Sequence, residues 1–287
     1  MRPFVITTDS TADMPESFYT ENNIQVLPLQ YTVNNIQYGA DKELAPKEFY
    51  TLMNNNASVS TSCPAPEQIS GMFRKITEAG INILHLSFSS ALSCSYATTV
   101  CIAKEISESI PGSEIYVVDT LCASGGQGLL LYYCVQMKKN GSSIYEIIKW
   151  IEENKLHICH EFTVESLTYL QRGGRISKTV AVLGSIINVK PVIHVNDEGR
   201  LISLSNVRGR KKSLVSLVDN MEKHIIADKN EVIIITHGDS SDDAEFVRDL
   251  IKERFGLTRF IFSYISPAIG CHSGPGTIAV FYFGDRR

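Results

Sequence analysis

Long hydrophobic runs are missing from this chain. No apolar stretch approaches the ~20 residues that span a bilayer. The opening Met1-Arg2-Pro3-Phe4-Val5-Ile6-Thr7-Thr8-Asp9 turns polar after Ile6, well short of the ~7 to 15 apolar residues of a signal-peptide core. Excess positive charge is missing as well. With 27 Lys+Arg against 31 Asp+Glu the formal net charge is −4, so the clustered cations that grip nucleic-acid phosphates are not there. The dipeptide Gly-Lys never occurs, which excludes a Walker-type phosphate loop and with it a self-contained P-loop kinase. No G-x-S-x-G elbow occurs either, although a triad assembled from distant residues escapes that test. Cysteine is odd in number, seven in all, and forms no C-x-x-C. Without a secretory signal, most of these cysteines are expected to be reduced thiols packed as small hydrophobes. A cytoplasmic globular protein without nucleic-acid partners is the expectation.

What is present suits two domains. The 287 residues are 44% hydrophobic, 20% charged and 9% aromatic, enough for a sizeable core at ~150 residues per domain. Phe4 to Thr8 reads as a buried strand followed by the oxygen-rich turn Asp9-Ser10-Thr11-Ala12-Asp13. Ile24 to Val33 reads as a strand that Asn34-Asn35 reverses into Ile36-Gln37-Tyr38. A helix on Ile69, Met72, Phe73 and Ile76 is expected next, then a strand over Ile81 to Phe88, a helix over Ala97 to Ile110 and a strand over Ile115 to Asp119. Gly125 to Lys138 and Ile144 to Glu153 read as two more helices. This alternation predicts a parallel sheet covered on both faces.

From about residue 156 the pattern changes. Val189 to Val195 and Leu201 to Val207 are strands joined by the turn Asn196-Asp197-Glu198-Gly199, and Leu214, Val218, Met221 and Ile225 mark one helical face. Strands at Glu231 to His237, Phe260 to Ser266 and Ile278 to Phe283 flank a helix at Ala244 to Phe255. The expected fold class is therefore α/β, with two unlike α/β domains. Residues 1–155 form a three-layer α/β/α domain with a mainly parallel sheet. Residues 156–287 form a two-layer domain with a mixed sheet.

Small hydroxyls collect where helices begin. Ser60-Thr61-Ser62-Cys63-Pro64-Ala65-Pro66 precedes the Ile69 helix, and Ser89-Ser90-Ala91-Leu92-Ser93-Cys94-Ser95 enters the Ala97 helix. Helix N-termini carry unpaired N–H groups and partial positive charge, so such loops suit an anion, while plain N-capping explains either loop taken alone. Two further groups combine glycine with cationic or titratable side chains: Gln171-Arg172-Gly173-Gly174-Arg175, and Gly270-Cys271-His272-Ser273-Gly274-Pro275-Gly276. Gly274-Pro275-Gly276-Thr277-Ile278-Ala279 matches a dinucleotide fingerprint only formally, because no long helix follows it. His157, Cys159, His160 and Glu161 are metal-ligand residue types in an order that no zinc motif uses. They read as a strand joining the domains, with alternate residues facing solvent.

Taken in order, Thr8-Asp9-Ser10-Thr11-Ala12-Asp13-Met14-Pro15, Ser60-Thr61-Ser62-x-Pro64, Ser89-Ser90-x-Leu92-Ser93, Gly125-Gly126-x-Gly128, Tyr169-Leu170-x-Arg172-Gly173-Gly174-Arg175-Ile176, Lys190-Pro191 and Gly270-x-His272-x-Gly274-Pro275-Gly276 closely resemble the DegV family. The resemblance runs over about residues 4–283. It implies the two-domain fold with a long-chain fatty acid, such as palmitate, lying between the domains, and no other cofactor or metal. It further implies a non-catalytic role as the fatty-acid-binding subunit of a bacterial fatty acid kinase. There a separate ATP-binding subunit phosphorylates the carboxylate for phospholipid synthesis, and membrane contact is limited to transient lipid exchange. Carried onto this sequence, the carboxylate-holding hydroxyls fall on Thr61, Ser62 and Ser93. His272 with Arg172 or Arg175 falls near the carboxylate or the incoming phosphate. The chain departs from the family pattern at Cys63, where Gln is common, and at Cys94-Ser95, where Gly-Thr is common.

The physics suits a lipid carrier. Burying roughly 14 methylenes of a C16 tail at ~0.8 kcal/mol each contributes about 11 kcal/mol before ordering costs. A dehydrated carboxylate needs the hydrogen bonds that paired hydroxyls supply. The competing reading is an autonomous lipid or acyl ester hydrolase with Ser93 as nucleophile and His272 as base.

Overall fold

The computed structural model describes residues 2–39, 42–177 and 188–287. Among them, strands β1 (Phe4–Asp9), β2 (Gln25–Leu27), β6 (Asn82–Ser87) and β7 (Ile115–Asp119) form a parallel sheet in the order β2-β1-β6-β7. β6 is buried along its whole length, as a strand covered on both faces must be. Ile83 faces the helices α3 (Pro66–Glu78) and α4 (Ser95–Ser109), packing with Phe73 and Ile106. Leu84 and Leu86 point the other way, toward α5 (Gly125–Lys139). Pro66 starts α3 at a position where a missing N–H costs nothing, and a Ser143/Glu146 capping box starts α6 (Ile144–Asn154).

The stretch read as one strand from Ile24 to Val33 is two. Pro28, which has no N–H to donate, separates β2 from β3 (Tyr31–Val33). β3 pairs instead with β4 (Ile36–Tyr38) and β5 (Val59–Thr61) in a small antiparallel sheet. Asn34 and Asn35, at φ 49° and 66°, make the β3–β4 turn. α2 (Pro46–Asn54) packs on this sheet through Phe49, Tyr50 and Met53.

Strands β8 (Ile158–Thr163), β9 (Val189–Val195), β10 (Leu201–Arg208), β11 (Ile233–His237), β12 (Phe260–Tyr264) and β13 (Ile278–Phe283) form a mixed sheet in the order β10-β9-β8-β13-β11-β12. Only the β11–β12 pair is parallel. Helices α8 (Arg210–His224) and α9 (Ser241–Phe255) cover its outer face around Leu217, Val247, Ile235 and Tyr282. β8 is the segment read as half-exposed, and that reading is corrected: it is buried throughout, between β13 and β9. The cause lies far off in sequence, because α5 covers the inner face of this sheet.

α5 sits between the two large sheets, touching Leu84, Leu86 and Val118 on one side and Ile193, Ile234 and Phe281 on the other. It is buried from Gly125 to Val135 apart from Tyr133, as a helix apolar all round should be. Gly125 and Gly126 make the approach feasible. A Cβ on Gly126 would lie 2.1 Å from His160 Nε2, and one on Gly125 would lie 2.6 Å from Phe281. No helix among the described residues is long and apolar enough to cross a membrane.

Candidate functional site

A cavity of about 280 Å³ opens beyond the C-terminal ends of β1 and β6, between the parallel sheet and the inner face of the mixed sheet. The chain passes from β1 to β2 on one side and later to β6 and β7 on the other. The cavity therefore occupies the switch point where open α/β sheets bind ligands. Its depth is apolar: Phe88 and Leu92 come from the loop after β6, and Phe162, Val195, Leu201 and Phe281 come from the mixed sheet. α7 (Thr168–Arg172) supplies Leu170, and α10 (Pro267–Ser273) covers another side with Ala268 and Ile269.

The polar groups of the lining are unevenly placed. Thr61, Ser62, Ser93, Arg175 and His272 all line this cavity, and Ser62 is exposed to solvent there. Thr61 Oγ1 lies 2.8 Å from His272 Nε2. Ser93 Oγ accepts from Ser95 N–H at 3.1 Å in the turn that leads into α4. Arg175 Nε donates to Leu92 O at 3.0 Å and Nη1 donates to Gly173 O at 2.5 Å, which ties the residues after α7 to the β6–α4 loop. Arg172 is not among them: it is exposed and stacks over the Tyr169 ring at 5.7 Å. Three residues decide between the arginines, because the chain leaves α7 at Gly173 and turns through Gly174 at φ 72°.

Burial, helped by the Arg175 charge, holds His272 down at a pKa of about 4, so the imidazole is neutral at pH 7. Its Nδ1 is buried without a partner and lies 2.0 Å from where a Gly173 Cβ would stand. Only glycine fits that position. His272 engages Thr61 rather than Ser93, and no carboxylate orients its other nitrogen. That is not the arrangement by which a base activates a serine.

Sequence reasoning passed over several groups in and under this cavity. The Gly270 segment is helical up to Ser273, so α10 presents His272 from a rigid turn. His160 lines the inner end and is fully satisfied, with Nδ1 near Ile158 O and Nε2 accepting from Ala123 N–H. Asp9 sits buried at the end of β1, taking Phe88 N–H at 2.7 Å and Ser87 Oγ at 3.2 Å, with His85 Nε2 at 3.2 Å. It thereby fixes the start of the Ser89–Ser93 loop. Beneath the cavity floor Asp13 joins the two halves, receiving hydrogen bonds from Ser124 Oγ at 2.5 Å and Ser266 N–H at 3.0 Å. Burial outweighs these bonds and pushes its pKa up to about 7. The signal for Asp13 was present in the oxygen-rich turn, but its partners lie 111 and 253 residues away.

Cys159, His160 and Glu161 alternate across the buried β8, and His157 lies in the turn before it. Among the described residues, no group of three His, Cys, Asp or Glu side chains is placed to share a metal ion. Five of the seven cysteines are free thiols, as expected of most of them, and the exception is Cys63 and Cys94, which are joined in a disulfide. They are 31 residues apart, and only the convergence of the β5 and β6 ends brings them together.

An α/β protein with a largely apolar cavity between a parallel and a mixed sheet, in whose wall hydroxyls, a histidine and an arginine come together, is the class defined by this geometry. A family model described as "Uncharacterised protein, DegV family" matches residues 3–285. A DegV domain-containing protein of Clostridium perfringens, CPE0026, is 43% identical over 289 residues, covering 100% of this chain and 99% of its own. The chain belongs to the DegV family. Among solved structures, a DegV lipid-binding protein from Thermotoga maritima superposes with a TM-score of 0.85 at 27% identity, with 100% of both chains covered. A structure described as fatty acid binding of a DegV family protein from Thermus thermophilus gives 0.87 at 26% identity, covering 99% of this chain and 100% of that one.

Proposed function

We propose that this chain binds a long-chain fatty acid in the cavity and presents its carboxylate at the mouth to a separate ATP-dependent kinase subunit, which would form an acyl phosphate for phospholipid synthesis. On this reading the ligand lies between two domains that meet near residue 155. The observation that carries it is the gathering of Thr61, Ser62 and Ser93, with Arg175 and His272, on the wall of a largely apolar cavity, drawn together by the Thr61–His272 and Arg175–Leu92 hydrogen bonds and the Cys63–Cys94 bond. The lipid-binding and fatty-acid-binding relatives of the same fold support it.

The chain's own residues divide the work. The apolar wall supplies affinity through the tail, and the hydroxyls offset the dehydration of the carboxylate. A buried nitrogen without a partner is tolerated better as a lone pair than as an N–H. The neutral His272 therefore carries its proton on Nε2 and donates it to Thr61 Oγ1. The Thr61 hydroxyl is left free to donate to the carboxylate. Arg175 adds a positive charge beside them. On this reading the phosphoryl group and its metal come from the partner, since phosphoryl transfer needs a phosphate clamp and the sequence has no Walker-type loop to supply one.

Organic extraction of the purified protein followed by mass spectrometry tests the reading. A stoichiometric long-chain fatty acid is expected. Recovery of no acyl chain, together with no uptake of added palmitate, overturns it. Turnover of a chromogenic ester by the isolated chain, lost in Ser93→Ala, would favour the hydrolase instead.

A further inference from the structure

We propose that the Cys63–Cys94 disulfide is a reversible redox clasp on the cavity mouth, opened by a low-molecular-weight thiol and controlling exchange of the acyl ligand. The inference rests on the lipid-binding reading of the cavity. The bond joins the segment leaving β5 to the segment entering α4, holding their Cα atoms 6.3 Å apart. Each cysteine directly follows a hydroxyl of the mouth, Ser62 or Ser93, and both cysteines line the cavity. No hydrogen bond among the described residues links 61–65 directly to 88–95. The disulfide is therefore the direct tie between the two loops.

Its position also makes it accessible. Cys63 and Cys94 are both exposed, and exposed disulfides are the ones open to thiol attack. Four of the other cysteines, Cys122, Cys134, Cys159 and Cys271, are buried. Burial pushes their thiols well above the usual range, Cys122 to about 11 and Cys159 and Cys271 to about 12, so they are poor partners for exchange. Cys101 is the exposed free thiol among the described residues.

The chemistry balances as ordinary thiol–disulfide exchange. An external thiolate attacks one Sγ and displaces the other, giving a mixed disulfide. A second external thiol releases that cysteine and leaves as an external disulfide. Two R–SH are oxidised to R–S–S–R, and Cys63 and Cys94 are reduced to two thiols that take up the two protons. With the clasp closed the hydroxyl loops stay in register and the mouth cannot widen. With it open the loops separate and the tail can pass.

The test uses the full-length protein with cis-parinaric acid as probe, its release followed into excess albumin. Oxidised protein, protein reduced with dithiothreitol, the Cys63→Ser/Cys94→Ser double variant and Cys101→Ala are compared. Alkylation and intact mass should show two additional reactive thiols after reduction. Release should quicken about threefold or more in the reduced protein and equally in the double variant, while oxidised Cys101→Ala should match wild type. Equal release rates from oxidised and reduced protein overturn the clasp and leave lipid binding standing. Failure of the two cysteines to re-form the bond with oxidised glutathione does the same. Absence of probe binding in every form overturns the lipid reading, and the clasp with it.

Discussion

The inner end of the cavity and its mouth are built on opposite rules. Away from the mouth, His160 has both ring nitrogens engaged by backbone, the Thr11 and Ser124 hydroxyls are bonded to Gln127 and Asp13, and Phe162, Val195, Leu201 and Phe281 supply apolar wall. At the mouth, the Thr61, Ser62 and Ser93 hydroxyls and the Arg175 guanidinium line the same space. A satisfied wall offers a ligand only apolar surface, whereas an unsatisfied rim offers it hydrogen bonds. The contrast gives an amphipathic ligand one orientation, tail inward.

That contrast is sharpest where burial is tested by charge. Asp13, buried between Ser124 and Ser266, keeps its proton to about pH 7, against 3.8 for an ordinary aspartate. The folded state holds more protons than the unfolded chain across that window. Stability is therefore fully present below about pH 4 and is lost as pH rises toward 7, by about 4 kcal/mol if the whole shift is realised. Asp13→Asn should flatten this decline in melts between pH 5 and 8. Glu161, raised to about 8 by its own burial, should leave a slope of the same sign in that variant. Identical profiles for wild type and Asp13→Asn would sink the assignment.

Gly126→Val tests the inner end. Its side chain must collide with His160, and a loss of about 3 kcal/mol is expected from overpacking, read as a lowered denaturant midpoint. A variant as stable as wild type would show that α5 is free to move off the sheet. Thr61→Ala and Ser93→Ala test the mouth, and each should weaken palmitate binding by about 1.5 to 3 kcal/mol in calorimetry while leaving the fold in place. If neither changes affinity, the carboxylate is held elsewhere. Arg172→Ala marks the lower limit, because an exposed arginine on Tyr169 should alter binding by no more than about 0.5 kcal/mol. An effect as large as that of Arg175→Ala would place Arg172 at the mouth after all.

Much of the fold was legible in local pattern. The strands β1, β6 and β7 with helices α3 to α6 followed from apolar periodicity, and the turns at Asn34-Asn35 and Asn196-Gly199 followed from residues that tolerate positive φ. β8 was misjudged because its burial comes from α5 on one face and α8 on the other, which no window around residue 158 contains. Of the candidate site residues, Thr61, Ser62, Ser93, Arg175 and His272 meet at one cavity, while Arg172 turns outward.

The sequence by itself determined the elements, the family motifs and the chemical types at the loops, since these depend on neighbours a few residues apart. Tertiary structure decided which of two arginines faces the cavity, that Cys63 finds Cys94, and that Asp13 retains its proton. Each of those outcomes depends on distance and dielectric between groups far apart along the chain, and both are created only when the two sheets close on α5.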